Sequence, residues 1–193
     1  GGRRRPSSLR MKTGDGMLDR LVRLAEGARS GGRPEMEALL AASAGLAHAV
    51  ARAKLGDTVD AEEAAVTALA RVAQRLGQLG DTATYPRWLA RIAERCAIDE
   101  ARSRRRLPGP IRGEPPDRAD GPAAVAAAAE EAARVRRAMA AMAPRLRAPL
   151  LLSVVEGLPY REIARLLGTG LATVSRRIER ALSVLRRDVG GEP

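Results

Sequence analysis

Two groups of arginines carry the chemistry open to this sequence. Arg87, Arg91 and Arg95 recur every four residues, so on a helix they share one face. Arg176, Arg177 and Arg180 form a second group, with Thr173 and Ser175 just before them. Guanidinium forks bind phosphates and the O6/N7 edge of guanine, and hydroxyls add further hydrogen bonds. Neither group suits bond-making chemistry. Paired carboxylates, a nucleophile constellation and a phosphate-cradling glycine loop are all missing from the pattern. One cysteine, Cys96, and one histidine, His48, cannot build an ordinary Cys/His zinc site. The expectation is a protein that is not an enzyme, with no cofactor and no metal. Cys96 reads as a buried core thiol, and His48 as a structural or surface residue. A plainer reading stands beside the nucleic-acid one. Arg102 and Arg104–Arg106 close a helix, where cations suit the dipole, and a basic helical face can simply be solvated.

The charge distribution favours contact with nucleic acid. The chain has 193 residues and a formal net charge of +11. Residues 84–106 carry +4 and residues 144–189 carry +5, while residues 34–83 carry −3. Two separate basic blocks that follow an acidic region suggest two nucleic-acid contacts and a different partner for the acidic part. Lys12 and Lys54 are the only lysines. Hydrophobic residues make up 45%, with no Phe and one Trp, so the core must rely on helices packed closely through small side chains. Without a long apolar run or a signal-peptide pattern, a soluble, cytoplasmic protein is expected. A start at Gly1 rather than Met suggests processing or a fragment, with Met11 and Met17 as candidate natural starts.

The elements that position these residues all read as helices. Residues 1–33 form a disordered basic extension with a short helix at Leu18–Ala28. A helix is expected at Glu35–Leu55, with Met36, Leu39, Leu40, Leu46 and Val50 inward, followed by a turn at Gly56–Val59. Asp60, with Glu63 three residues on, can cap the next helix. That helix runs to about Leu79 on a stripe of Val66, Leu69, Val72, Leu76 and Leu79. Thr84 can cap a third, bearing Trp88, Leu89, Ile92, Cys96 and Ile98. Leu107–Pro122 holds five prolines and three glycines and reads as a linker. Ala123–Met142 and the segment from Pro144 to Val155 are helical, with a kink or boundary near Ala148 because of Pro149. Pro159 opens a helix whose Ile163, Leu166 and Leu167 face inward and whose Arg161, Glu162 and Arg165 face outward. Gly168 and Gly170 suit a sharp turn. Leu171, Val174, Ile178, Leu182 and Leu185 form the apolar series of the last helix, so Gly157–Arg187 reads as a helix-turn-helix. The fold class is all-α: a first domain over 34–106, the linker 107–122, a second domain over 123–189, and a tail, 190–193.

Two blocks resemble bacterial RNA polymerase sigma factors of the extracytoplasmic-function (ECF) class. Asp60–Glu63 through Arg71-Val72, with the run Thr84-Tyr-Pro-Arg-Trp-Leu-Ala-Arg-Ile-Ala-Glu-Arg-Cys-Ala-Ile-Asp-Glu-Ala-Arg102, resembles their second domain. Met142 through Arg187 is similar to their fourth. The resemblance covers most of residues 35–189. It implies that domain two binds the β′ clamp of core RNA polymerase and opens the minus-ten element, through Asp81, Thr82, Thr84, Tyr85, Arg87, Arg91 and Arg95. It implies that domain four binds the β-flap and the minus-thirty-five promoter DNA, through Thr173, Ser175, Arg176, Arg177 and Arg180. The polymerase-binding surface would include Glu62, Glu63, Val66, Thr67, Arg71 and Arg75. An anti-sigma factor or auxiliary protein is a further expected partner, and membrane insertion is not expected.

The sequence departs from the family pattern in several places. Val66 and Thr67 stand where the family usually has a Gln-Glu pair, and Ala73 where an aromatic is frequent. Thr169 replaces an apolar turn residue, and Gly170 a capping serine. These changes keep an alternative open: a sigma-like DNA-binding regulator that no longer recruits polymerase by itself. A third reading is an interaction module with solvated basic faces.

Overall fold

A computed structural model describes residues 16–56, 59–106 and 123–189. The basic arm through residue 15, the expected linker 107–122, the tail 190–193 and the middle of the turn at 57–58 lie outside the described residues. Eight α-helices and no strand are present among the described residues. The first four are α1 (Met17–Ser30), α2 (Arg33–Leu55), α3 (Val59–Arg75) and α4 (Tyr85–Arg106). The remaining four are α5 (Ala123–Ala141), α6 (Pro144–Val154), α7 (Tyr160–Leu167) and α8 (Leu171–Val189).

Helices α2, α3 and α4 pack against one another, and their meeting faces are lined with alanine. Ala47, Ala51, Ala61, Ala68, Ala93 and Ala97 are fully buried. Small side chains allow the helix axes to approach closely, so dispersion contacts between backbones replace those of larger groups. Leu39, Leu46, Val72, Leu76, Tyr85 and Leu89 fill the remaining volume and are also inaccessible. Three ion pairs cross the bundle. Lys54 reaches Glu94 at 2.6 Å, Arg71 reaches Asp99 at 3.5 Å, and Arg104 pairs with Asp60. Helix α1 buries Leu18, Leu21, Ala25 and Ala28 in the same core, and is longer than the short helix expected there.

Local capping differs from the expected pattern. Asp60 lies within α3 and ties its start to the end of α4 through Arg104. α3 stops at Arg75, and Leu76–Gln78 form a 3-10 turn. Asp81, not Thr84, caps the next turn: its carboxylate accepts the Ala83 N–H at 2.9 Å. Thr84 instead donates its hydroxyl to the Asp81 carbonyl at 2.7 Å. At the start of α2, Glu35 accepts the Gly32 N–H at 2.8 Å, which satisfies a donor the helix itself cannot use.

In the second half, α6, α7 and α8 enclose Leu150, Leu152, Leu158, Ile163, Leu166, Val174 and Ile178. α6 runs through Pro149 without a break. The halves meet mainly where α6 crosses α2. Arg147, buried on α6, is the polar pin there. Its guanidinium donates to the carbonyls of Ala140 (2.8 Å) and Met142 (2.6 Å) in its own half and to Arg52 (3.3 Å) at the end of α2. Burial lowers its pKa from the ordinary arginine value, and the negative ends of two helices offset the desolvation.

Candidate nucleic-acid interface

The helix-turn-helix is built by α7 and α8. Gly168 ends α7 in the left-handed region at φ 63°, where a Cβ would be strained. Its N–H returns to Ala164 and Arg165, and the Thr169 N–H bonds to the Ala164 carbonyl at 3.0 Å. The turn thereby sets α8 across α7 with Val174, Ile178 and Ala181 against the core. The opposite side of α8 is solvent-facing: Arg176 and Arg180 are exposed, and Thr173, Ser175 and Arg177 are partly so.

Arg145, which the sequence reading did not single out, joins this face from the start of α6. With Thr173, Arg176, Arg177 and Arg180 it surrounds an open hollow of about 370 Å³. Four guanidinium groups from two helices around one hollow form a strong anion-attracting surface. Sequence spacing could not place Arg145 there, because α6 and α8 meet only through the fold.

The basic face of α4 is also present. Arg87, Arg91 and Arg95 are all exposed. Arg87 and Arg91 line a cleft between the halves of about 350 Å³, together with Lys54, Arg145 and Arg177. The two arginine groups thus converge on one cleft. Glu94, the carboxylate in it, is held by Lys54. Such a cleft has room for a few water layers and is far too small to admit a DNA duplex.

Other expected site residues are placed differently. Tyr85 is fully buried and shares a 2.7 Å hydrogen bond with the Ser43 hydroxyl. Its phenol pKa is pushed up to about 12 by burial, partly opposed by the Ser43 bond. It belongs to the core and has no face free to stack on a base. Trp88 is half-buried beside it, with ring centroids 6.1 Å apart. Thr82 donates to Glu26 of α1 at 3.3 Å, so Asp81, Thr82 and Thr84 all spend polar groups on local structure. On α3, Glu62, Glu63, Val66, Thr67 and Arg75 are exposed, while Arg71 is engaged with Asp99.

Three positions, Val66, Leu171 and Glu162, reverse the expected inside–outside assignment. Val66 is 66% exposed and does not join the α3 core stripe. Leu171 is also exposed, as are Val154 and Val155 at the end of α6, and no element among the described residues covers these sides. Glu162 was expected on the polar face of α7 and is instead buried. It lies against Gly16 at the start of α1, where any side chain would collide with its carboxylate. A second acid, Glu156, lies against Gly45 of α2. Burial raises its pKa from the ordinary carboxylate value, and the nearby His48 opposes the rise. Cys96 is a buried free thiol, and burial pushes its pKa up.

Comparison with known proteins agrees with this geometry. The family model described as Sigma-70, region 4 matches residues 132–185, from the middle of α5 into α8. A protein described as probable RNA polymerase sigma factor RfaY, from Xanthomonas campestris pv. campestris, is 34% identical over 149 residues. Residues 132–185 thus carry a sigma-70 region 4 domain, and the chain is similar in sequence to a sigma factor. The aligned part is 73% of this chain and 37% of that relative, so the match spans little more than a third of the relative's length. The structure of CnrH in complex with the cytosolic domain of CnrY is similar in fold, with a TM-score of 0.59 at 23% identity. That match covers 85% of this chain and 93% of CnrH. No helix among the described residues is long and apolar enough to cross a membrane.

Proposed function

We propose that this chain binds core RNA polymerase and directs it to a subset of promoters. The α4 face is assigned to the minus-ten element and the outer face of α8 to the minus-thirty-five element. The observation that carries this reading is the group Arg145, Thr173, Arg176, Arg177 and Arg180 around the hollow on α8. Arginines and a hydroxyl near the start of a second helix are what major-groove reading requires. Arg87, Arg91 and Arg95 supply an exposed cationic track beside the Asp81–Thr84 turn for a separated strand. Polymerase binding is assigned to the exposed side of α3, at Glu62, Glu63, Val66, Thr67 and Arg75. A protein partner of the anti-sigma or auxiliary kind is part of the proposal, by analogy with CnrH, which is held by a domain of CnrY.

A second reading has one observation in its favour. Val66 and Thr67 are both exposed on α3, and neither supplies a charge there. Each charge-assisted hydrogen bond missing from a clamp contact would cost roughly 1.5–3 kcal/mol. Two would weaken binding by more than about a hundredfold unless apolar contacts compensate. This chain is therefore expected to bind core polymerase weakly, with help from a partner. Affinity for purified core enzyme, followed by transcription from a promoter library, tests the proposal. The Val66→Gln, Thr67→Glu double variant should bind more tightly. If neither form binds polymerase while duplex DNA is still bound, the chain is a sigma-like regulator instead.

A further inference from the structure

The outer face of α8 is not uniformly basic. At 3.6 residues per turn, Arg176 lies opposite the core residues Val174 and Ile178. Thr173, Arg177 and Arg180 fall to one side of it, and Ala172, Ser175 and Glu179 to the other. The structure bears out this division. The first side is the one that lines the hollow with Arg145. On the second side the Ser175 hydroxyl donates to Glu179 Oε1 at 3.1 Å, and Ala172 leaves open surface next to it. Glu179 is exposed and forms no ion pair of 4 Å or less among the described residues.

A carboxylate on a DNA-facing helix needs an explanation. Phosphates repel it, and on a helix reading only the backbone it would weaken binding. In the major groove one edge suits it. Cytosine offers the N4 amino donor, whereas guanine presents two acceptors, and the adenine N6 donor has the N7 acceptor beside it. Ser175 fixes Oε1, so Oε2 remains available as an acceptor.

Resting on the assignment of α8 to promoter DNA, we infer that Glu179, held by Ser175, is a specificity-determining residue that selects a cytosine in the duplex recognised by α8. The arginine side of the helix supplies affinity and the Ser175–Glu179 side supplies discrimination. One face thereby separates positioning on the backbone from reading of the sequence.

The test is selection from a randomised duplex library by the full chain, run in parallel for wild type, Glu179→Gln and Glu179→Ala. Wild type should enrich a motif with cytosine at one position. Glu179→Gln should replace that preference with adenine, because a glutamine amide matches the adenine N6/N7 pair. The cytosine-to-adenine ratio there should change by roughly tenfold or more. Glu179→Ala should lose preference at that position alone and bind random-sequence duplex more tightly, one repulsive charge having gone. An identical motif in all three proteins overturns the inference and leaves the promoter-binding proposal intact. Loss of preference at every position together with a lowered Tm also overturns it, since Glu179 would then act through the fold. A wild-type chain that enriches no motif removes the DNA-reading assignment of α8 itself.

Discussion

The two halves of the molecule reach stability by different routes. Helices α2, α3 and α4 meet through alanine, with close backbones and a few large residues between them. Helices α6, α7 and α8 meet through Leu150, Leu152, Ile163, Leu166, Val174 and Ile178. The first arrangement resists added volume and the second resists lost volume. The polar pins differ as well. The first half uses ion pairs between its own helices, whereas the second is tied to it by Arg147 and carries buried Glu162 beside α1. The difference teaches that a chain poor in aromatics can still build two cores, provided one is made of closely spaced helices.

Substitutions of opposite sense sharpen the contrast. Ile163→Ala should have the largest effect, destabilising by about 2–5 kcal/mol, because the side chain is fully buried and leaves a cavity. Urea unfolding measures it, and a loss below about 1 kcal/mol would mean that the second core collapses to fill gaps. In the first half the reverse change should be harmful: Ala68→Leu should cost about 1–3 kcal/mol by forcing α3 away from its neighbours. A neutral result there would show slack in the alanine interface.

Tyr85 provides a pH-dependent test of the first core. Its phenol titrates near 12 in the folded chain, against 10.0 for the free group. The raised pKa contributes stability that is fully present below pH 10 and is lost as pH rises from there through about 12. At about 1.36 kcal/mol per pH unit, the loss reaches roughly 2.7 kcal/mol. Tyr85→Phe should flatten this alkaline decline. At neutral pH it should cost about 1–2 kcal/mol by leaving the Ser43 hydroxyl without its partner, and adding Ser43→Ala should restore part of that. An unchanged alkaline profile in Tyr85→Phe would place the titrating group elsewhere.

The smallest effect on stability is expected on the basic faces. Arg176→Ala should change unfolding free energy by no more than about 0.5 kcal/mol. If Arg176 contacts a phosphate, the salt slope of duplex binding should fall by about one. If it contacts a base, preference should relax at one position with the slope preserved. Stability lost without a binding defect would mark it as structural.

Much of the local architecture was legible in the chain itself. The apolar period located most of the helices, the alanine-rich composition located α5, and glycine at 168 marked the turn because a left-handed residue was needed there. The arginines of α4 and α8 were found on exposed faces because charge and helical spacing are local facts. Periodicity failed where covering depended on a distant element. Glu162 reads as a surface residue on α7 by itself, but α1 lies over it. Leu171 reads as core, yet no element among the described residues packs on it. The family resemblance implies Tyr85 at the minus-ten element, whereas the fold buries it with Ser43, forty-two residues away, as its hydroxyl partner. Sequence alone determined which segments coil and which faces carry charge, because both follow from neighbours within two turns. Tertiary structure alone decided that Arg145 joins α8 and that Arg87, Arg91 and Arg177 share a cleft, because those distances arise only when separate helices pack.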